Sequence, residues 1–203
     1  MKAMTRAALS VIYRELGLLN TVKLGVNLIF TSVFADPFKP LGPAIDQGDR
    51  LSRVQLKPVV LIYRHLLSQR ERVEALRITE MIVLASGRAF LRDVLDGLDL
   101  HQLVASNERE RLLRERLKKI PNATFSLRFE ENTLHFTVSA CRFVQLCAQL
   151  SYPELTPLFC SVDDAFFGHD LAGVSLTRET TLATGGHSCP FVFSLHNESD
   201  ADQ

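Results

Sequence analysis

The sequence has no tryptophan and no excess charge of either sign, with Lys+Arg and Asp+Glu at 23 each. A neutral chain gives no electrostatic reason to expect nucleic acid, whose binding rests on clustered cations. No run of about 18 uncharged apolar residues occurs, so nothing reads as a membrane span. There is no internal repeat, no low-complexity tract and no glycine-rich phosphate cradle, which argues against an ordinary dinucleotide or ATP site. Cysteine is sparse: Cys141, Cys147, Cys160 and Cys189 all lie in the second half. Arg14-Glu15 interrupts the N-terminal apolar stretch and no small-residue cleavage site follows, so no secretory signal is read. The expectation is a cytoplasmic protein with free thiols rather than a disulfide framework.

What is present is enough apolar material for one domain: 203 residues, 46% of them hydrophobic. Residues 1–55 read as an amphipathic helix and a proline-rich loop, 56–120 as a helical part, and 121–197 as a sheet-containing part, with a tail at 198–203. In the first helix, over 5–35, Leu19, Val22, Val26, Ile29 or Phe30, and Val33 recur at helical spacing, with Asn20, Lys23 and Asn27 on the other side. Only Glu15 is acidic there, against Lys2, Arg6, Arg14 and Lys23. Such a helix suits a core or a homodimer contact, and its basic character also suits a membrane surface. The stretch 36–55, with DPFKPLGP, reads as an extended loop.

Residues 56–95 read as two helices. Pro58 would sit in the first turn of one, and Ser68 would cap the second with Glu71 as in a capping box. Residues 106–120, SNERERLLRERLKKI, read as a charged, solvent-facing helix capped by Ser106 or Asn107. Phe125, Leu127 and Phe129, then Leu134, Phe136 and Val138, alternate as a β-hairpin should. A helix over 139–150 follows, opened by Cys141, where backbone amides favour a thiolate. Cys147 reads as a small buried hydrophobe.

The most informative stretch is CSVDDAFFGHDLAGVSLTRETTLATGGHSCPFVFSLH, from Cys160 to His196. It reads as a cysteine-led turn, a strand over 175–183, a Gly185-Gly186 turn, and a strand in which Phe191 and Phe193 alternate with smaller residues. The order helices–strand–strand–helix–strand–strand predicts an α+β domain: N-terminal helices packed on one face of a four-stranded antiparallel sheet.

The skeleton Cys160-x-x-Asp163, Arg178-x-x-Thr181-Leu182-Ala183-x-Gly185, Cys189-x-Phe191-x-Phe193 resembles the C-terminal signature of the L-2-amino-thiazoline-4-carboxylic acid hydrolase-like proteins. The likeness runs from Cys141 to Phe193, and Pro190 stands where that family usually has an acidic residue. A fainter pattern is similar to the 4-vinyl-reductase small-molecule-binding domain. There Arg178 and Thr181 replace the Glu and second Cys of a zinc set, leaving only Cys160 and Cys189.

The first resemblance implies hydrolysis of a C–N or C=N bond in a cyclic amidine carrying a carboxylate. Its candidate residues are Cys160, Asp163 and Cys189 for catalysis, and Arg178, Thr181 and Cys141 for holding the substrate. Thiol, carboxylate and guanidinium are suitable types for attack, proton transfer and carboxylate binding. His169, His187 and Cys189 leave a divalent metal such as zinc or iron open as a cofactor. The alternative is a non-catalytic module with an apolar pocket lined by Phe166, Phe167, Phe191 and Phe193, or an accessory protein docking through residues 5–35.

Overall fold

A computed structural model describes residues 2–98, Leu103 and residues 106–196. The tail at 198–203 lies outside the described residues. Helix α1 (Lys2–Phe34) is broken at Gly17, whose φ of 72° and ψ of 171° suit a residue without a Cβ. Asn20 and Thr21 donate to the carbonyls of Leu16 and Gly17 at 3.1 and 2.7 Å, bracing the break. Val11, Ile12, Leu16 and Leu24 bury against the next two helices. Of the stripe expected to meet the core, a second copy or a membrane surface, Leu19, Val22, Val26, Ile29 and Phe30 are exposed and so do not pack in the core, while the Val33 side chain lies outside the described residues. Among the described residues of the second half of α1, Leu24 and Leu28 reach the core while Leu18, Leu19, Val22, Val26, Ile29 and Phe30 are exposed.

Helix α2 (Gln47–Leu67) starts within the stretch read as loop, because the Asp46 side chain caps it, accepting from the Asp49 amide at 2.6 Å. Pro58 consequently lies inside α2 and not in its first turn. Helix α3 (Arg72–Leu95) follows Glu71. Ser68 closes α2 instead of capping α3; its hydroxyl donates to the His65 carbonyl at 2.7 Å. Helix α4 (Arg109–Leu117) is short and charged, with the Ser106 hydroxyl accepting from the Glu108 amide.

Strands β1 (Ala123–Glu130) and β2 (Thr133–Cys141) form the expected hairpin. Helix α5 (Arg142–Gln149) follows, then a second helix that the cysteine-led turn concealed, α6 (Thr156–Ala165). A π-helical turn, Phe166–Asp170, leads into β3 (Val174–Thr177) and β4 (Cys189–Leu195). The fold is α+β, with one antiparallel sheet in the order β1-β2-β4-β3 and two helices between its hairpins.

Register explains the sheet's single apolar face. Phe125, Val138 and Cys189 align across three strands, as do Leu127, Phe136 and Phe191. Phe129, Leu134, Phe193 and Leu176 align across all four. With a period of two, one such row places every other apolar residue on the same side. Pro190 pairs with Thr137 on one side, while β3 pairs with β4 only from Val192 onward. That edge-like stretch tolerates a residue lacking an N–H.

Two contacts seat α6. A Cβ at Gly87 of α3 would stand 2.6 Å from Val162 Cγ2, so only glycine allows this approach. Beyond α6, Asp170 is gripped by Arg88 through both carboxylate oxygens and by Arg92 at 2.7 Å, with 7% of its side chain exposed. The Arg88 guanidinium holds the Asp170 carboxyl below the usual range.

Candidate functional site

Helix α6 places Cys160, Asp163 and Asp164 at i, i+3 and i+4, one face of an α-helix. Arg178 leaves the end of β3 and turns back onto that face. Its Nη1 donates to Asp163 Oδ2 at 3.4 Å, and its Nη2 to Asp164 Oδ2 at 2.7 Å and to the Cys160 carbonyl at 3.2 Å. Only 5% of the Arg178 side chain is exposed. Its guanidinium carbon stands 4.8 Å from the centre of the Phe191 ring, a cation–π contact with the apolar sheet face. Arg178 is thus a buried tie between helix and sheet, not an outward-facing surface arginine.

Asp163 keeps 29% of its side-chain surface. Burial nevertheless raises its carboxyl to about 7, against the lowering influence of Arg178. Burial also pushes the Cys160 thiol up to about 12, with Arg178 again opposing. A thiol there is protonated at neutral pH.

Cys141 sits at the N-cap of α5 without a side-chain capping hydrogen bond, and the nearby amides of Phe143 and Val144 act to lower its pKa. Those amides favour a thiolate, as the sequence suggested, but burial outweighs them and the thiol is raised. Cys189 lies near enough to Cys141 and Cys160 to add to the upward push on both thiols. Cys147 is fully buried, and burial raises it to about 12.

Cys189 is buried at the start of β4 and accepts from the Leu182 amide at 3.2 Å. The strand expected over 175–183 stops at Thr177, and the chain crosses through a 3-10 turn, Leu182–Thr184. The Thr181 hydroxyl caps that turn, accepting from the Thr184 amide at 3.1 Å. Gly185 has φ 90°, and a Cβ at Gly186 would stand 2.9 Å from the Thr181 carbonyl, so both glycines are needed for this crossing.

Arg178 therefore meets the Asp163 carboxylate and the backbone carbonyl of Cys160, with the Cys160 thiol close enough to feel its charge. Cys141 and Cys189 adjoin them, and Thr181 is linked only through the turn that holds Cys189. Asp164 escaped the sequence reading; treating 156–165 as a helix would have aligned it with Cys160. Phe166, Phe167, Phe191 and Phe193 pack on one another, with successive ring centres 4.8 to 5.9 Å apart. The surface hollows at Lys2–Tyr13 and around Asp46, Asn122 and Arg142 include none of the six candidates. Among the described residues, no three His, Cys, Asp or Glu side chains are grouped to hold a metal.

The family model for L-2-amino-thiazoline-4-carboxylic acid hydrolase matches residues 55–193, which takes in every element from the middle of α2 to β4. The chain belongs to this family. In this hydrolase-family member the match includes the whole Cys160–Asp163–Arg178 contact. Residues 47–54 of α2 and all of α1 lie outside it. No curated protein matches the chain. Among solved structures, a triple mutant of an H-NOX protein from S. oneidensis in its Fe(II) ligation state is 15% identical, with a TM-score of 0.39 over 96% of this chain and 95% of that one. A likeness that low carries no argument about fold or ligand.

Proposed function

We propose that the protein hydrolyses a thiazoline-like cyclic amidine carboxylate at the junction of α6 and β3–β4. The substrate class is that of L-2-amino-thiazoline-4-carboxylate, whose hydrolysis gives N-carbamoyl-L-cysteine. One observation carries the reading: in a chain of this family, the Arg178 guanidinium is turned inward onto the Cys160–Asp163 face of α6.

Asp163, raised to about 7, has the proton affinity a general base needs near neutral pH. It takes a proton from water as the oxygen bonds to the amidine carbon. The ring C=N electrons move to nitrogen, which takes from Asp163 the proton that Asp163 removed from water. Collapse of the adduct's C–OH to a carbonyl breaks the ring carbon–sulfur bond, and the sulfur leaves with the hydroxyl proton. Cys160, protonated at neutral pH, acts as a neutral hydrogen-bond donor beside the attacked carbon rather than as a nucleophile. Cys189 and Cys141 complete the thiol-lined wall, and Thr181 holds the turn that carries Cys189.

Arg178 binds the substrate carboxylate. Asp164, with 59% of its side chain exposed, is the ligand such a carboxylate displaces from the Arg178 fork.

Incubation with L-2-amino-thiazoline-4-carboxylate, followed by mass spectrometry, tests this directly. Expected is N-carbamoylcysteine, formed about 100-fold more slowly by Asp163→Asn. No product, with or without added divalent metals, overturns it.

A further inference from the structure

Helix α1 lies outside the family match and carries most of the exposed large apolar side chains among the described residues. Its second half is amphipathic in the reverse sense for a core helix. Leu18, Leu19, Val22 and Val26 are exposed, Leu19 by 77% and Val22 by 56%. The polar residues Asn20, Asn27 and Thr31 sit on the half-buried side with Leu24. Asn20 and Thr31 meet their need for partners within the helix, donating to the carbonyls of Leu16 and Asn27. Scattered exposed apolar residues need no explanation, but a continuous stripe over more than two turns marks a binding surface.

Charge decides what covers it. Lys2, Arg6, Arg14 and Lys23 are all exposed on α1. The sole carboxylate of the helix, Glu15, is engaged by Arg14 and Arg77 at 3.2 and 2.9 Å. Lys23 therefore lies within the stripe's span and Lys2, Arg6 and Arg14 precede it on the same helix, Arg14 sharing Glu15 with Arg77, although the whole chain is neutral. In the first half, Lys2, Arg6, Leu9 and Tyr13 line one shallow hollow, so basic and apolar groups share a face there too. A second copy of the chain would bring Lys23 against Lys23 in an antiparallel pairing centred on the stripe. An anionic bilayer surface supplies phosphates for the cations and acyl chains for the stripe. No described helix is long and apolar enough to cross a membrane, so the contact is in-plane.

We infer that α1 seats the protein on anionic phospholipid, with Leu18, Leu19, Val22 and Val26 in the acyl layer and Lys23, Arg14, Arg6 and Lys2 at the headgroups. The inference is independent of the hydrolase reaction.

Flotation of the full chain with vesicles tests it. Vesicles of phosphatidylcholine with about one third phosphatidylglycerol should retain the protein about tenfold better than phosphatidylcholine alone, and high salt should weaken retention. Leu19→Glu/Val22→Glu should abolish retention while leaving the circular dichroism spectrum unchanged, and Lys23→Glu should weaken it. No retention on anionic vesicles, or equal retention on both, overturns the inference. So does a soluble dimer that Leu19→Glu/Val22→Glu splits into monomers, because the stripe would then already be covered.

Discussion

Arg178 and Asp163 meet at 3.4 Å across the join between β3 and α6, with the Phe191 ring beneath the guanidinium. The contact links two segments of the family-matched region and also raises the question of what the arginine is for. As a tie it holds the helix to the sheet. As a ligand it must release Asp164, whose outward position makes that exchange inexpensive.

Replacing Arg178 tests both roles. Arg178→Gln leaves Asp163 and Asp164 without their cation and should cost about 2–3 kcal/mol in urea denaturation. Arg178→Lys should recover part of that stability but little of the substrate affinity, because an ammonium cannot offer the planar fork. Equal KM values for Arg178→Lys and the unaltered protein would exclude carboxylate binding by this side chain.

The pH dependence has a definite sign. Asp163 is raised to about 7 in the native state, above the ~3.9 of an unfolded aspartate. Its native carboxyl therefore holds the proton more tightly. The stability it contributes is full below about 4 and is lost as pH rises through about 7. Carbon-13 NMR of the carboxyl should show that midpoint, and kcat/KM should rise through the same range. Arg178→Gln should move the midpoint higher, since Arg178 opposes the shift. An ordinary midpoint would remove Asp163 as the base.

Cys160 and Asp163 are separable by substitution. With a thiol raised to about 12, Cys160→Ser preserves a neutral donor and should lower kcat by less than about tenfold, far less than Asp163→Asn. Comparable losses, together with trapping of a covalent adduct on Cys160, would instead assign it the nucleophilic role.

Gly87 is a packing position with a functional consequence. Gly87→Ala pushes a methyl into Val162 on the helix that carries Cys160 and Asp163. It should cost about 1–3 kcal/mol and reduce kcat as well as Tm. A Gly87→Ala/Val162→Ala pair should restore both, and failure to do so would separate this contact from the site.

Alternation of Phe125, Leu127 and Phe129 was sufficient to read β1, and Leu134, Phe136 and Val138 to read β2, because a period of two is a local property of the chain. The cysteine, aspartate and arginine of the family signature were likewise visible as residue types at set spacings. Their roles were not. The helix at 156–165 hides behind Pro157 and a short, mostly apolar run, so Asp164 went unseen and Cys160 looked like part of a turn. Whether Arg178 faces water or Asp163 depends on how β3 docks against α6, and that docking is set by Gly87, Val162 and the Arg88–Asp170 clasp, contacts separated by scores of residues. The stripe on α1 shows the same limit from the other side: its periodicity announced a helix, but which face would be covered depended on packing against α2 and α3, where Val11, Ile12, Leu16 and Leu24 filled the available core.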